Sequence, residues 1–376
     1  MGRGRVPDDP GLPSAALREA AGRPLRLYLH VPLCTSRCGY CDFNTYTIAQ
    51  LGPSAAGEFV RRAHAEIALA HRLLSGDGSG AAAPGPLASV FVGGGTPTVL
   101  SPADLGGLLD DARTRFGLTG DAEVTCEANP ETLTPAVLDS LRQAGFTRLS
   151  LGMQSGVPHV LRALDRVHTP GQAGRAVRWA HDAGFASVNV DLIFGAPGET
   201  LDDWRGSLEA ALAAGPEHVS AYALIVEDGT PLGRRVAAGA VSAPDEDEQA
   251  DKYLLAEEVL AKAGLANYEI SNWARPGHEC RHNLGYWRGD SWWGVGPGAH
   301  SHVGGFRWWN HRLPVRWGRA LDEGAWPVAG HERLGTVTRH EERVLLELRC
   351  ATGLPLDVLT ASERARLPRL AADGLI

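Results

Sequence analysis

The sequence contains no apolar run long enough to cross a bilayer, so no transmembrane segment is expected, and membrane contact, if any, is peripheral. Its first residues, MGRGRVPDDPGLPSAALREAAGRP, carry arginines but no apolar core of the kind a secretory signal needs. Met1-Gly2 is followed by Val6 where a myristoylation signal takes Ser or Thr. There is no basic excess either. A formal net charge of -8 argues against a general nucleic-acid binder, which presents a basic face, and reads simply as solubility. Nor are cysteines spread as pairs through the chain in the manner of a disulfide scaffold. Cys34, Cys38 and Cys41 cluster, while Cys126, Cys280 and Cys350 stand apart. These absences describe a cytoplasmic protein with a mobile tail over residues 1–24. The 376 residues hold one large domain and a smaller one, and the composition is ordinary for a globular chain.

Short apolar or β-branched runs alternate with helical stretches. The expected strands are Leu25–Val31, Ala88–Gly94, Ala122–Ala128, Thr147–Gln154, Ser187–Gly195 and His218–Val226. Ser101-Pro102 and Thr134-Pro135 mark helix starts, and Gly145 and Gly184 sit where left-handed C-terminal caps belong. Repeated strand–helix units imply an α/β fold with a parallel sheet and right-handed crossovers. Six units rather than eight predict a partial (β/α)6 barrel over residues 25–240, open on one side. Chemistry in such folds gathers at the C-terminal ends of the strands. The cysteine loop, GGGTPT, Glu127, Gln154 and Asp191 all fall there. The stretch Ser75–Pro86 reads as a Gly/Ala/Pro linker.

After Ala240 the rhythm stops. APDEDEQADKYLLAEEVLAKAGL reads as a helix whose acidic start favours its N-terminus. A tryptophan-rich region and further helices then form a second domain, 241–376. Eight of the ten tryptophans lie between Trp273 and Trp326, and they read first as packing. The chain ends at ADGLI, which has the pattern of a strand start, so the C-terminus is expected to be truncated.

The densest chemistry is LHVPLCTSRCGYCDF, Leu29 to Phe43, with spacing C-x-x-x-C-x-x-C. Thiolates select zinc or iron–sulfur clusters. Structural zinc takes four closed ligands, and this loop offers three thiols with His30 or Asp42 only as strained fourth ligands. A cubane [4Fe–4S] cluster, whose usual ligand is cysteine, can take three and leave one iron open. Of the other motifs, GGGTPT (Gly93–Thr98) lets backbone amides approach a ligand closely, though alone it could be a plain turn. Glu127 and Asp191 are strand-end carboxylates able to accept from a ribose hydroxyl or an ammonium; taken singly, each is more often a cap or a salt-bridge partner. Arg166 alone would be a solvated charge.

The cysteine spacing after a first strand, with Tyr40 before the last thiol, resembles the radical S-adenosylmethionine (SAM) superfamily. CEANPET (Cys126–Thr132), RLSLGMQS (Arg148–Ser155), LDRVHT (Leu164–Thr169) and DLIFGAPGET (Asp191–Thr200) extend the likeness to its oxygen-independent coproporphyrinogen-oxidase-like branch, from Tyr28 to Ser301. The resemblance implies Cys34, Cys38 and Cys41 as cluster ligands. It implies Tyr28, Tyr40, Gly94, Gly95, Thr96, Glu127, Gln154, Arg166, Asp191 and Ala223 as the SAM-binding set. Where the true oxidases of this branch carry a fourth cysteine, in the pattern C-x-x-x-C-x-x-C-x-C, this chain has Phe43. That departure weighs against coproporphyrinogen dehydrogenase activity.

Beyond the barrel, HNLGYW (His282–Trp287), YEISNWA (Tyr268–Ala274) and GVGPGAHS (Gly294–Ser301) resemble the HemW haem chaperones. The resemblance implies a protein that binds haem, a [4Fe–4S] cluster and SAM, and delivers haem to apo-haem proteins, respiratory ones among them. His282 is the expected axial ligand, with Tyr286 and Trp287 flanking the macrocycle; Cys280 competes as a thiolate, and His300 and His302 are further candidates. The alternative is a radical-SAM oxidoreductase acting on coproporphyrinogen III or a related tetrapyrrole.

Overall fold

The computed structural model describes residues 12–76, 85–169 and 171–375. Residues 1–11 of the expected tail and 77–84 of the expected linker lie outside them. From Leu12 onward the tail is not loose: Ser14–Ala20 is a helix that packs on the strand His300–Val303, and Leu12 and Ala16 are buried. Burial of these two apolar side chains holds down a segment expected to be mobile.

One sheet of twelve strands organises the chain. In chain order these are β1 (Leu25–Val31), β2 (Leu87–Gly94), β3 (Leu118–Ala128), β4 (Arg148–Gln154), β5 (Ser187–Phe194) and β6 (His218–Ala223), then β7 (Ala266–Glu269), β8 (Asn272–Ala274), β9 (Ser291–Val295), β10 (His300–Val303), β11 (Phe306–Asn310) and β12 (Val328–Arg333). The spatial order is β12-β11-β10-β9-β1-β2-β3-β4-β5-β6-β8-β7. Strands β1 to β6 run parallel in sequence order, as the six strand–helix units require. The segment after residue 240, expected as a second domain, adds strands to both edges of this sheet. β8 pairs antiparallel with β6, while β9 pairs parallel with β1.

Period-two alternation explains why both faces are used. On β1, β3, β4, β5 and β6 one set of side chains is apolar: Leu27 and Leu29, Val124 and Cys126, Leu149 and Leu151, Val188 and Val190, Val219 and Ala221 are all buried. These pack on the helices, as both faces of a parallel sheet must be covered. The helix Ala55–Leu74 answers with Phe59, Ala63, Ile67, Ala70 and Leu74, a stripe at helical spacing. Each large side chain so buried contributes about 1.5–3 kcal/mol. The alternate set is polar: Glu123, Thr125 and Glu127 on β3, Arg148 and Ser150 on β4, Asn189 and Asp191 on β5, His218 and Ser220 on β6.

That polar face must curl. Tyr28 on β1 and Tyr222 on β6 wall one cavity of 280 Å3. In a flat sheet five strand spacings would separate them by about 24 Å. The helix ends that frame the curl are capped as expected, by Ser101 and Thr134 side chains and by Gly145 in the left-handed region. The acidic-start helix runs from Glu246 to Lys262 with Asp245 as its cap. Trp273, Trp293, Trp308 and Trp317 are fully buried, in keeping with the packing reading.

Candidate functional site

At the C-terminal ends of the strands a cavity of 230 Å3 is walled by Cys34, Cys38 and Cys41 together with Tyr40, Gly94, Gly95 and Thr96. Glu127, Gln154, Arg166 and Asp191 complete its far side. The glycines are there because the cysteine loop is pressed onto them. A Cβ on Gly95 would lie 2.4 Å from the Leu33 carbonyl oxygen and 2.9 Å from Cys34 Sγ; Gly94 has φ +109. The same backbone grips the loop, Gly95 N–H donating to Val31 O at 2.8 Å and Thr96 N–H to Leu33 O at 2.8 Å. Gln154 is a non-glycine residue at φ 63, where β4 slips register against β5. Such a conformation is costly and clusters at functional positions.

Arg166 is far from the solvated charge that its position in sequence would give by default. It donates to Cys38 Sγ at 3.3 Å, to Asn129 Oδ1 at 2.9 Å and to the Gly152 carbonyl at 2.7 Å. Among the described residues no group of three or more His, Cys, Asp or Glu side chains is arranged to hold a single metal ion. The three thiols instead border a shared space and form no disulfide. Burial raises the pKa of Cys34 and of Cys41, so ligation there releases protons. This donor set fits a cluster: three thiols on one loop, a glycine cradle that a Cβ would fill, and no fourth thiol on the wall.

Glu127 and Asp191 join this cavity to a second one of 280 Å3 beneath it, whose wall they share with Ser150 and Tyr222. Burial first, then the neighbouring Asp191, pushes Glu127 up to about 8. Burial likewise raises Asp191, which accepts from Ser150 at 3.0 Å and Asn189 at 2.7 Å. Two half-buried carboxylates without an ion-pair partner among the described residues favour a ligand that brings positive charge and hydroxyl donors.

The remaining expected residues lie elsewhere. Tyr28 lines the lower cavity, not the upper, and its hydroxyl bonds His30 Nδ1 at 3.0 Å. Ala223 is exposed and lines neither; Tyr222 beside it lines both. His282 lies on the helix Arg281–Trp287 and is 1% exposed. Its Nδ1 bonds Ser89 Oγ at 2.8 Å and its Nε2 the Tyr286 hydroxyl at 2.9 Å. Burial, then Arg26, lowers its pKa to about 3, so the ring is neutral. Tyr286 shares the lower cavity, while Trp287 does not reach it.

Comparison with known proteins fixes the family. The radical SAM superfamily matches residues 28–211. The heme chaperone HemW of Mycobacterium tuberculosis (strain H37Rv) is 52% identical over 355 residues, covering 94% of this chain and 89% of that protein. The chain belongs to the HemW family of radical SAM proteins. Heme chaperone HemW of Escherichia coli K12 is 38% identical over 281 residues, covering 74% of this chain and 70% of its own. Among solved structures, the coproporphyrinogen III oxidase HemN of E. coli, a radical SAM enzyme, superposes with TM-score 0.82 at 25% identity, covering 96% of this chain and 87% of that one. Membership of this radical SAM family carries with it a [4Fe–4S] cluster and SAM. No helix among the described residues is long and apolar enough to cross a membrane.

Sequence reasoning missed three residues that shape the family site here. Asn129 bridges Thr96 Oγ1 and Arg166. Glu123 accepts the backbone N–H of His282 at 2.9 Å and of Arg281 at 3.0 Å, anchoring that helix. Arg148 is 3% exposed on the lower cavity, with Nε and Nη2 unpartnered among the described residues. The signal available was alternation: Glu123 and Arg148 occupy the polar phase of strands whose other face is apolar, and Asn129 continues the phase of Glu123, Thr125 and Glu127 one residue beyond β3.

Proposed function

We propose that this chain is a haem chaperone: it binds haem alongside a [4Fe–4S] cluster and SAM, and passes the haem to apo-haem proteins. The observation that carries the reading is the upper cavity. It gathers the three thiols, the glycine cradle, both carboxylates, Gln154 and Arg166 around one space, and it does so in a chain whose relatives are named heme chaperone HemW.

In this reading Cys34, Cys38 and Cys41 hold three corners of the cluster, whose open iron supplies a binding point for the amino and carboxylate groups of SAM. Gly94, Gly95 and Thr96 receive the methionine part, because only glycine leaves room between the strand end and the loop. Glu127 and Asp191 accept from the ribose and balance the sulfonium charge. Arg166 holds Cys38 and the Asn129 amide in place, and Tyr40 closes the side. Exposed Phe43 occupies the position of the oxidase branch's fourth thiol, which favours haem handling over coproporphyrinogen chemistry. His282 bears on the haem only if the Tyr286 hydroxyl gives up its bond to Nε2.

The test is a titration of the anaerobically reconstituted protein with ferric haem, followed by incubation with an apo-haem protein. The reading expects about one haem per chain and transfer to the acceptor, since haem sites depend on a positioned axial ligand. Absence of haem binding, or binding without transfer, counts against it.

A further inference from the structure

A third cavity, of 490 Å3, opens beside the cysteine loop between Phe43, Asn44, Tyr28, His300, Trp309 and Arg312. It falls within the roughly 300–1,000 Å3 usual for ligand pockets, which the 280 Å3 space beside His282 does not reach.

Its walls differ in kind from those of the other two. His300 and Trp309 face each other across β10 and β11, with ring centroids 5.8 Å apart and planes 25° apart. The His300 ring is thereby held in place by the indole while remaining solvent-exposed. Neither of its nitrogens has a hydrogen-bond partner among the described residues. Partial desolvation, then the charges of Arg312 and Arg307, lowers its pKa, which favours the neutral imidazole. His282 has both nitrogens engaged. Phe43 is 59% exposed and lies on the wall that this cavity shares with the thiol-lined one. Arg312 is exposed and without an ion pair among the described residues, a free cation at the rim.

The two walls are tied together. Asn44 Nδ2, directly after Phe43, donates to the Pro297 carbonyl at 2.9 Å and the Arg312 carbonyl at 2.8 Å. Gly298, at φ +77, makes room for that amide, since a Cβ there would lie 2.8 Å from Asn44 Nδ2. The cysteine loop and the β9–β10 turn are thus joined through the Asn44 amide.

We propose that this cavity is the haem seat, with His300 as axial ligand, Trp309 fixing the plane of the His300 ring, Phe43 against the macrocycle and Arg312 on a propionate. The binding step is one coordinate bond from an imidazole lone pair to the iron, with no proton or electron transferred. An oriented neutral imidazole, one apolar ring for the macrocycle and a guanidinium for a carboxylate are what an iron porphyrin asks of a site. The inference rests on the haem-chaperone reading and adds to it where the haem sits: next to the cluster, across the Phe43 wall.

The experiment titrates ferric haem, and separately iron-free protoporphyrin IX, into the wild type, His300→Ala and His282→Ala. The proposal expects His300→Ala to shift the Soret band and to weaken ferric haem binding by about ten-fold or more, the scale of one lost ligand bond. Protoporphyrin binding stays unchanged, and added imidazole restores the wild-type spectrum. His282→Ala keeps that spectrum. Because His300 is exposed, its replacement leaves the fold intact, and imidazole rescue confirms that the pocket has survived. An unchanged spectrum and affinity in His300→Ala overturns the assignment while leaving the chaperone reading standing. So does loss of the imidazole signature in His282→Ala alone. Wild-type protein that binds no haem overturns both.

Discussion

Glu66 offers a perturbation whose size can be worked from the fold. It sits in the helix Ala55–Leu74, fully buried, and its carboxylate joins that helix to three elements from the far end of the chain. Oε2 accepts from Gly296 N–H at 2.8 Å and Trp317 Nε1 at 2.7 Å, and Oε1 accepts from Asn310 Nδ2 at 2.6 Å. Burial outweighs these donors and pushes the carboxyl from 4.5 up to about 7. The native state therefore binds more protons than the unfolded state between those two values. The sign follows: the Glu66 contribution favours folding below about pH 4.5 and is lost as the pH rises through 7. The full loss is about 3 kcal/mol. Glu66→Gln does not titrate, but its amide N–H2 faces a donor, costing about 1–3 kcal/mol at low pH. Paired urea unfolding of wild type and Glu66→Gln at pH 5, 6, 7 and 8 should show the variant gaining most of that 3 kcal/mol relative to wild type across the series. Parallel stability curves would refute the reasoning, because they would mean the buried carboxyl does not titrate in that window.

Two further outcomes are expected. Gly95→Ala should press a methyl onto the Leu33 carbonyl and Cys34 Sγ; overpacking of this kind costs about 1–3 kcal/mol, and iron bound after reconstitution should fall, so unchanged iron content would count against the cradle. The wild-type protein should not convert coproporphyrinogen, because Phe43 stands at the fourth-thiol position, and protoporphyrin fluorescence after oxidation of the reaction mixture would restore the oxidase reading.

Much of the arrangement was readable before any coordinates. β1 to β6 begin and end within a few residues of their expected bounds, apart from the early start of β3 and the early end of β6, because period-two alternation and capped helices are local signals. Gly94, Gly95, Thr96, Glu127, Gln154 and Asp191 line one cavity with the three cysteines because consecutive strand ends in a parallel sheet lie side by side, and Tyr40 and Arg166 join them from loops. What stayed hidden is non-local. No short-range pattern says that Ser291–Val295 will pair parallel with Leu25–Leu29, or that the last third of the chain will extend both edges of the first sheet. The HNLGYW spacing marks a motif but is silent on burial, and burial is what engages both nitrogens of His282. Arg148 and Glu123 looked like ordinary strand residues until the curl of the sheet turned them inward.

The most direct test of the central claim is iron and acid-labile sulfide analysis of the anaerobically reconstituted protein, with electron paramagnetic resonance of the reduced state before and after adding SAM. The account predicts about four irons and four sulfides per chain, as thiolate ligation of a cubane cluster requires, and a spectrum that changes when SAM is added. Colourless protein without iron or sulfide, or a cluster signal indifferent to SAM, would contradict it.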